Sequence, residues 1–568
     1  WLSCVDVKLP FGIYQLLEKE PEDNPSLALL EEFRTPFTAP SVLAQACAVA
    51  GKITNKLAAQ GELTPEKAPW FNASYLHSLI NGSCQAFDAA LERWRTLYKA
   101  TKLQQKEANR IAETSPNKKE REIALGVATD ALEQINVLEA SQKENSDFYL
   151  YRYLASQGFL PGYSFPKLPL IAWLSKRQYV RAGAAAAGTN RGTMIARPRF
   201  LALTEFGPRS LIYHEGAMYR VTKVKLKSSE LTHVAANGRL MTMKGYVCSE
   251  CGCAMFNLDK PSEPPMYSVC PSCHEPIDFS KSLIQDLYGV ETVEAREAAR
   301  ITVMDEERQR QGFETLTTYS MPKGPADARK DAEITMDEGL PTKLTYVPAA
   351  TIWKINLGLR RRANPEERGF WINPYTGLWS KRDDDEGGEE PQDPNAAVKK
   401  EVRIVPFVRD TKNMLVVEPP HEIVENQEAM STFRAALQRG IERVFQLESS
   451  ELAAEYLPNG DAPSRILLYE ASEGGSGVLS RLVDETQREV CFREIAKKAL
   501  EVMHYRLNCA SGDYEEVENV TCQAGCYECL LSYYNQTEHE FINRRNASVK
   551  SYLAKLANLA PNAITTVN

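Results

Sequence analysis

The chain has 568 residues, of which 43% are hydrophobic and 25% are charged, and its formal net charge is −8. This length suffices for about three or four domains, whereas the acidic balance excludes a uniformly basic protein that coats nucleic acid. No apolar run reaches the roughly 18 residues that span a bilayer, and the mixed N-terminal sequence is unlike a secretory signal. We therefore expect a cytoplasmic protein with no membrane partner. Because the chain begins with Trp1 rather than Met, we also expect its natural N-terminus to be missing.

Residues 1–157 are predicted to be mainly helical. Apolar residues recur at helical spacing on both sides of the turn sequence "ETSPNKK". They are Phe87, Leu91, Trp94 and Leu97 before the turn, and Ile123, Val127, Ile135 and Leu138 after it. The pattern predicts a helical hairpin whose apolar stripe belongs to a hydrophobic core.

Residues 158–245 are predicted to be basic and rich in strands. From Lys167 to Lys227 there are twelve Lys and Arg against only Glu205 and Glu215. Such an excess indicates either a phosphate-binding surface or a solvated face that acidic neighbours neutralise. The stretch "RFLALTEFGPRSLIYHEGAMYRVTKVKL" has turn signals within it and predicts short strands in a small β-barrel or curled sheet, and "AGAAAAG" at 182–188 predicts a loop.

The thirteen cysteines are clustered, with five in residues 248–273 and four in residues 509–529. In a long chain without a secretory signal, this clustering favours metal binding over disulfides. In the first cluster, Cys248-x2-Cys251 and Cys270-x2-Cys273 have the spacing of a zinc ribbon, which we place at 246–277. Four thiolates leave no open coordination position, so this zinc is predicted to be structural. Cys253 and His274 are interpreted as bystanders, and the alternative is a set of unrelated buried thiols.

The second cluster offers three ligands, Cys522, Cys526 and Cys529, and Cys509 is the natural fourth. His539 is a competing fourth ligand. We expect a tight turn that leads into a helix with Cys529 near its N-terminus, where the helix dipole favours a thiolate. A redox-active cysteine pair is disfavoured because the sequence lacks a thioredoxin-like strand context.

The rest of the chain predicts an α+β multidomain protein. In the mixed helix/strand segment 278–382, "VEAREAARITVMDEERQRQ" indicates a charged helix, whereas "LTYVPAATIWKINLGLRRR" and "GFWINPYTGLW" indicate strands. Residues 383–401 form an acidic linker. In the C-terminal mixed α/β domain, 402–568, we expect a helix, then a buried strand at "SRILLYE" and a glycine-rich turn at "ASEGGSG". The helix is marked by Met430, Phe433, Leu437, Ile441 and Val444.

Catalytic motifs are missing from the printed sequence. The nearest match to a P-loop, "QACAVAGKIT", lacks the first glycine, and Ile follows its lysine. We find no H-E-x-x-H, no G-x-S-x-G and no kinase motif set. We therefore expect a non-catalytic subunit rather than an enzyme.

Several stretches together resemble the zinc-binding C-terminal region of MrfA-type superfamily 2 DNA-repair helicases. In order, they are "GFLPGYSFP", "ALTEFGPRSLIYHEGAMYRV", the zinc-ribbon cysteines, "GFWINPYTGLW", "ILLYEASEGGSGVL" and "CQAGCYECLLSYYNQTEHEFINRR", and they cover roughly 150–550. By position, the resemblance implies that Cys509, Cys522, Cys526 and Cys529 bind zinc. Two zinc ions per chain are thus expected. Glu470, Ser476 and Asn543 depart mildly from the family pattern.

A free-standing form of this region resembles the DrmB-type subunits that pair with the helicase DrmA in the DISARM anti-phage system. The resemblance implies a DrmA-like superfamily 2 helicase as partner, with DNA bound directly or through that helicase. Candidate contacts to DNA phosphates or to the helicase are Arg177, Arg181, Arg191, Arg197, Arg199, Arg360, Arg361 and Arg362. The alternatives are the C-terminal portion of a single-chain helicase and an independent DNA-binding module. For "NQTEHEFINRR" we favour hydrogen bonds that support the zinc turn over direct contacts with a partner.

Overall fold

Fourteen α-helices and eighteen strands are assigned in the part of the chain that the computed structural model describes. That part comprises residues 1–19, 26–61, 63–64, 71–139, 148–161, 167–176, 192–227, 233–234, 239–258, 260–265, 267–300, 312–322, 329–336, 341–362, 364, 366–380, 401–472, 474–518, 521–561 and 563–567. The predicted loop 182–188, the linker 383–401 except Glu401, and Arg177, Arg181 and Arg191 lie outside it.

The helices fall mainly in the N-terminal third and the C-terminal quarter of the chain. They are α1 (Glu31–Thr38), α2 (Pro40–Ala59), α3 (Ala73–Asn81), α4 (Ser83–Ala90), α5 (Glu92–Thr114), α6 (Lys118–Glu139), α7 (Leu150–Ser156), α8 (Arg199–Glu205), α9 (Phe279–Ser282), α10 (His421–Val424), α11 (Gln427–Phe445), α12 (Val478–Arg481), α13 (Arg488–Val502) and α14 (Ala547–Ala557). Short 3-10 helices span Leu2–Cys4, Ile13–Leu16 and Tyr533–Phe541. No helix among the described residues is both long and apolar enough to cross a bilayer.

The strands occupy the middle of the chain and its C-terminal part. They are β1 (Leu170–Ser175), β2 (Thr193–Arg197), β3 (Leu211–His214), β4 (Ala217–Val224), β5 (Met243–Val247), β6 (Ala254–Phe256), β7 (Leu283–Gly289), β8 (Thr292–Arg300), β9 (Phe313–Ser320), β10 (Lys330–Ile334), β11 (Thr342–Leu359), β12 (Phe370–Ile372), β13 (Val402–Glu418), β14 (Leu452–Leu457), β15 (Arg465–Glu470), β16 (Tyr505–Leu507), β17 (Tyr514–Glu516) and β18 (Ile564–Val567). The α+β class with a helical N-terminus is confirmed.

The chain divides into two units. The first unit contains residues 1–240, 290–311 and 370–402, and the second contains 241–289, 312–369 and 403–568. Each unit is therefore assembled from segments that are distant in the sequence.

The first unit combines the predicted helical hairpin with a five-stranded sheet. Helices α5 and α6 pack against each other, and their predicted apolar residues Trp94, Leu97, Ile135 and Leu138 are buried in one core. The sheet has the order β2-β1-β8-β4-β3, in which β1 and β8 are parallel. All six residues of β1 are buried, as expected for a strand that other structure covers on both faces.

Two predictions in the first unit are wrong. Of the predicted charged helix at 293–311, residues 301–311 lie outside the described part of the chain. The preceding residues belong to strand β8 instead, because pairing with β1 and β4 outweighs the helical preference of their Glu and Ala residues. Residues Arg199–Glu205 form helix α8 rather than a strand. The helix begins directly after Pro198 and buries Ala202 and Leu203, and the buried Phe206 lies one turn further on. This spacing is the helical period that the strand prediction overlooked.

The second unit is built on two long antiparallel strands, β11 and β13. The sheet path runs β18-β10-β11-β13-β7-β5-β6, with β9 paired to β11 and β15 paired to both β13 and β14. Helices α11, α13 and α14 pack in sequence and share one hydrophobic core with β10, β11, β13 and β15. Gly440 permits the close crossing of α11 and α13, because a Cβ atom there would lie 2.6 Å from the Ile495 carbonyl oxygen. The predicted strand and helix of the C-terminal domain are thus confirmed as β15 and α11.

Candidate metal centres

The first cysteine cluster forms a compact tetrad in the second unit. The sulfur atoms of Cys248, Cys251, Cys270 and Cys273 all lie within 4.8 Å of one another. The Cys248–Cys273 and Cys251–Cys270 sulfur separations are 3.7 and 3.5 Å. A tetrahedral zinc with bonds of about 2.3 Å would hold its sulfurs about 3.8 Å apart. The tetrad therefore fits one zinc ion with very little movement of its ligands.

Two backbone turns of the same design present these ligands. In each turn the amide of the fourth residue after the first cysteine donates to that cysteine's carbonyl: Gly252 to Cys248 (2.9 Å) and His274 to Cys270 (3.0 Å). Both donors have left-handed backbone, with φ of 72° and 62°. Gly252 meets a second constraint, because a Cβ atom there would lie 2.7 Å from the Leu457 side chain. His274 therefore belongs to the turn, as the bystander interpretation predicted.

Side chains from neighbouring strands hold the ribbon in place. Thr318 on β9 donates to the Gly252 carbonyl oxygen (2.5 Å), and the Ser272 and Tyr319 hydroxyl groups are 2.7 Å apart. Arg465 donates to the Glu250 carbonyl oxygen, and Arg329 donates to that of Ser272 (3.1 Å). Both carbonyls belong to the residue just before the second cysteine of a turn. The arginines therefore fix the turns and place positive charge beside the thiolates.

The second tetrad contains a ligand that the sequence interpretation missed. Its ligand atoms come from His504, Cys522, Cys526 and Cys529 and again lie within 4.8 Å of one another. The Cys522–Cys529 and Cys526–Cys529 sulfur separations are 3.8 and 3.5 Å, and His504 Nε2 lies 3.8 Å from the Cys526 sulfur. Burial and then the nearby Arg544 charge lower the pKa of His504, which favours the neutral imidazole that binds a metal.

The predicted fourth ligand, Cys509, is not part of this tetrad. Its side chain is exposed in the turn that joins β16 to β17, whereas His504 lies at the base of the same hairpin, where its carbonyl oxygen accepts from the Val517 amide (2.9 Å). Strand β16 carries the chain away from the tetrad at about 3.3 Å per residue. His504 has a φ of 64°, an uncommon value for a residue other than glycine. His504 follows helix α13, which ends at Val502, and no metal-binding spacing in the sequence connects it to the cysteines.

Comparison with known families supports a zinc site in this region. The family described as the MrfA Zn-binding domain matches residues 433–530. This match begins within α11 and includes all four residues of the second tetrad. It bears out the predicted resemblance for this part of the chain, which we call the MrfA-type domain.

A helicase among the solved structures also has a low similarity to this chain. The structure, titled "Crystal Structure of DUF1998 helicase MrfA bound to DNA", matches at 11% sequence identity with a TM-score of 0.30 over 77% of this chain. The match spans 43% of the helicase chain, which is less than half of its length. No curated protein matches.

The cysteine turn of the MrfA-type domain differs in detail from the predicted helix start. The Cys526 amide donates to the Cys529 sulfur (3.0 Å), and the Cys529 and Leu531 amides both donate to the Cys526 carbonyl oxygen (3.0 Å each). Cys529 thus lies in a turn, and the 3-10 helix begins only at Tyr533. The thiolates of this centre are positioned by amide groups of the turn rather than by a helix dipole.

The polar residues after the turn support it, as predicted. Asn535 donates to the Leu530 carbonyl oxygen (2.9 Å) and accepts from the Ser532 amide (2.7 Å). His539 Nε2 lies 3.1 Å from the Ser532 carbonyl oxygen, and the competing interpretation of His539 as a ligand is therefore wrong. Arg544 is fully buried and donates to two backbone carbonyl oxygens. One belongs to the ligand Cys522, and the other belongs to Met503, the residue before the ligand His504.

The candidate contact arginines have different surroundings. Arg199 donates to the Leu168 carbonyl oxygen (2.6 Å), Arg360 donates to that of Phe313 (3.1 Å), and Arg362 pairs with Glu314 (2.6 Å). Arg197 is exposed, with Glu205 at 3.6 Å, and Arg361 is exposed. Other cations of the basic segment are internal, since Lys223 and Lys225 surround the buried Glu294 at 2.6 and 3.3 Å. Part of the positive charge is thus neutralised within the fold.

The two centres can bind zinc but leave no coordination position for water or substrate. Each supplies four protein ligands, which is the arrangement of a structural rather than a catalytic zinc site. The P-loop-like sequence around Gly51 and Lys52 lies within helix α2, where the backbone amides are used by the helix and cannot wrap a phosphate. The described residues therefore contain two sites suited to structural zinc.

Proposed function

We propose that this chain is a zinc-stabilised subunit that assembles with a DrmA-like superfamily 2 DNA helicase and handles foreign DNA in anti-phage defence. The observation that carries the proposal is the coincidence of the MrfA-type domain match at 433–530 with the tetrad His504, Cys522, Cys526 and Cys529. The order of the resembling stretches along the chain extends this support toward the DrmB-type subunits.

In this proposal the chain supplies binding surface and the partner supplies ATP hydrolysis. The printed sequence carries no P-loop, and both metal centres have full sets of protein ligands. Zinc at these centres would fix the turns and the domains around them.

DNA contact in the proposal rests on arginines with exposed guanidinium groups. Phosphate contacts are independent of sequence, which suits a complex that meets any phage genome. Arg361 is the best described candidate, because it is exposed while its neighbour Arg362 is engaged by Glu314. Arg197 is a further exposed candidate in the basic segment, and Arg177, Arg181 and Arg191, which lie outside the described residues, are candidates from the sequence alone.

The deciding experiment is affinity purification of the chain from its own cells, followed by mass spectrometry and an ATPase assay. We expect a stoichiometric superfamily 2 helicase, with DNA-stimulated ATPase activity in the complex and none in the chain alone. If the full reading frame carries helicase motor motifs, the chain is instead the C-terminal portion of a single-chain helicase. If the chain is recovered alone and binds DNA with a steep dependence on salt, it is an independent DNA-binding module.

A paired substitution tests the DNA contact separately. Arg361→Glu should weaken binding of the complex to duplex DNA, more strongly at low than at high salt, without changing the melting temperature. Arg362→Glu should lower the melting temperature, because it places two carboxylates together at Glu314. Equal DNA binding by the wild type and Arg361→Glu would remove Arg361 from the proposal.

A further inference from the structure

Three exposed tyrosines lie beside the second metal centre, one within the MrfA-type domain and two just after its last matched residue. Tyr527, Tyr533 and Tyr534 have exposed fractions of 63%, 56% and 66%. Tyr527 lies within the cysteine turn, and the other two begin the 3-10 helix that follows it. We call these three residues the tyrosine face. Tyrosine is enriched at the centres of protein interfaces, because it has a large apolar ring and few rotatable bonds.

His539 connects the two parts of this face. The Tyr527 and His539 rings have centroids 5.7 Å apart, and His539 Nε2 lies 3.1 Å from the Ser532 carbonyl oxygen, next to Tyr533. The Tyr533 and Tyr534 rings are 5.8 Å apart and nearly perpendicular. His539 therefore bridges the Tyr527 ring to the backbone that carries the Tyr533–Tyr534 pair, and this places the three exposed tyrosines around one histidine.

The charge of this surface is negative. Residues 521–543 contain no Lys or Arg and three Glu. Glu538 pairs with Arg434 at 2.6 Å, whereas Glu528 and Glu540 are exposed. The basic residues nearby are already engaged. Arg544 is fully buried, and Arg545 pairs with Glu516 at 2.8 Å. Arg439 donates to the Leu531 carbonyl oxygen (3.2 Å) and pairs with Glu442 at 3.0 Å. Nucleic-acid phosphates would be repelled here, whereas cations would be attracted by both the carboxylates and the ring faces.

The backbone beneath the face is fixed before any partner binds. Asn535 bonds to both ends of the Leu530–Ser532 segment, and a metal at the tetrad would fix Cys526 and Cys529 on either side of Tyr527 and Glu528. A preorganised surface loses little conformational entropy on binding. The arrangement is thus typical of a recognition surface rather than of a solvated loop.

We propose that the tyrosine face docks an arginine-bearing segment of a partner protein. Arginine is favoured over lysine because its planar guanidinium stacks on aromatic rings and also pairs with carboxylates. This inference names a protein-binding surface separate from the arginines considered for DNA, and it does not depend on the identity of the proposed helicase partner.

The test measures binding of a fluorescein-labelled peptide of nine arginines by fluorescence anisotropy at physiological salt. We expect the triple variant Tyr527→Ser, Tyr533→Ser, Tyr534→Ser and the double variant Glu528→Gln, Glu540→Gln each to bind about fivefold or more weakly than wild type. The triple Tyr→Phe variant should bind like wild type, because the rings remain. The double variant Glu32→Gln, Glu422→Gln removes the same charge from exposed positions elsewhere and should also bind like wild type. Zinc content and melting temperature confirm that each variant is folded.

Three outcomes would overturn the proposal. In the first, the Glu32, Glu422 control weakens binding as much as the Glu528, Glu540 pair, which would show attraction to overall charge only. In the second, the serine variant binds the peptide normally. In the third, the serine substitutions abolish binding of a labelled oligothymidine, or dimerisation in sedimentation, while peptide binding persists; the occupant would then be nucleic acid or a second copy of the chain.

Discussion

Arg544 donates hydrogen bonds from Nε (3.0 Å) and Nη2 (2.5 Å) to the carbonyl oxygen of Cys522, a ligand of the second tetrad. The guanidinium also pairs with Glu516, so it ties the cysteine turn to strand β17. Arg465 and Arg329 hold carbonyls of the two zinc-ribbon turns in the same way. Arg465, Arg329 and Arg544 follow the residues whose carbonyls they hold by 215, 57 and 22 positions in the sequence. Each arginine therefore joins a metal-binding turn to a later part of the fold.

Replacing Arg544 by Met should weaken zinc binding at the second centre by about 10–100-fold. The substitution removes the bonds to Cys522 and the positive charge beside three thiolates. Zinc affinity would be measured by competition with a chromophoric chelator. The matched control is Arg545→Met, which alters an exposed arginine that pairs with the same Glu516 and should leave the affinity unchanged. Equal losses in both variants would assign the effect to Glu516 rather than to the carbonyl of Cys522.

Zinc content distinguishes His504 from Cys509 as the fourth ligand. We expect two zinc ions per chain in the wild type, about one in His504→Ala, and two in Cys509→Ser. The histidine variant should also melt at a lower temperature, because a structural zinc contributes folding free energy. The measurement is elemental analysis of protein purified without chelator. A zinc ion lost in Cys509→Ser but retained in His504→Ala would restore the ligand set implied by the sequence resemblance.

The zinc ribbon offers an internal comparison between a ligand and a buried neighbour. Cys270→Ser should remove one zinc ion and destabilise the second unit. Cys253→Ser should retain both zinc ions, because Cys253 is fully buried but is not part of the tetrad. The same elemental analysis, with thermal unfolding followed by circular dichroism, checks both variants. Loss of zinc in Cys253→Ser would show that this residue does more than pack.

The buried Glu294 provides a prediction about pH. Burial by itself would raise the pKa of this carboxyl, but the ion pairs with Lys223 and Lys225 lower it to about 2. The stabilising contribution of the ionised Glu294 is therefore complete above about pH 4.5, the ordinary pKa of a glutamate carboxyl. It is lost as the pH falls toward about 2. Burial lowers the pKa of Lys225 to about 8, so the cost of keeping that ammonium buried falls as the pH rises above 8.

Glu294→Gln tests this ion cluster directly. At neutral pH the free energy of unfolding of the first unit should fall by about 3–5 kcal/mol, because two ammonium groups stay buried without their carboxylate. The difference from wild type should shrink when urea unfolding is repeated between about pH 4.5 and pH 3. Glu122→Gln, at an exposed position of α6, should change the stability little at either pH. A difference that does not depend on pH would point to altered packing instead.

The sequence by itself determined the features that depend on local spacing. The two C-x2-C pairs of the ribbon predicted a tetrad because a short turn brings two thiolates to one metal, and the structure brings the pairs together. The apolar residues at helical spacing in α5, α6 and α11 likewise predicted helices, because the helical period depends only on neighbouring residues. Asn535 and Arg544 were expected to support the zinc turn, and their bonds to its carbonyls confirm this.

Only the tertiary structure decided the features that depend on distant partners. Strand β8 has the composition of a helix, but β1 and β4 on either side of it satisfy its backbone as a strand and bury Glu294 between two lysines. The choice of His504 over Cys509 was likewise invisible, because the β16–β17 hairpin directs one residue toward the tetrad and the other into solvent. For β8 the deciding contacts join strands that are far apart in the chain, and for His504 they depend on how a hairpin places its base beside the cysteine turn, so no spacing motif records either outcome.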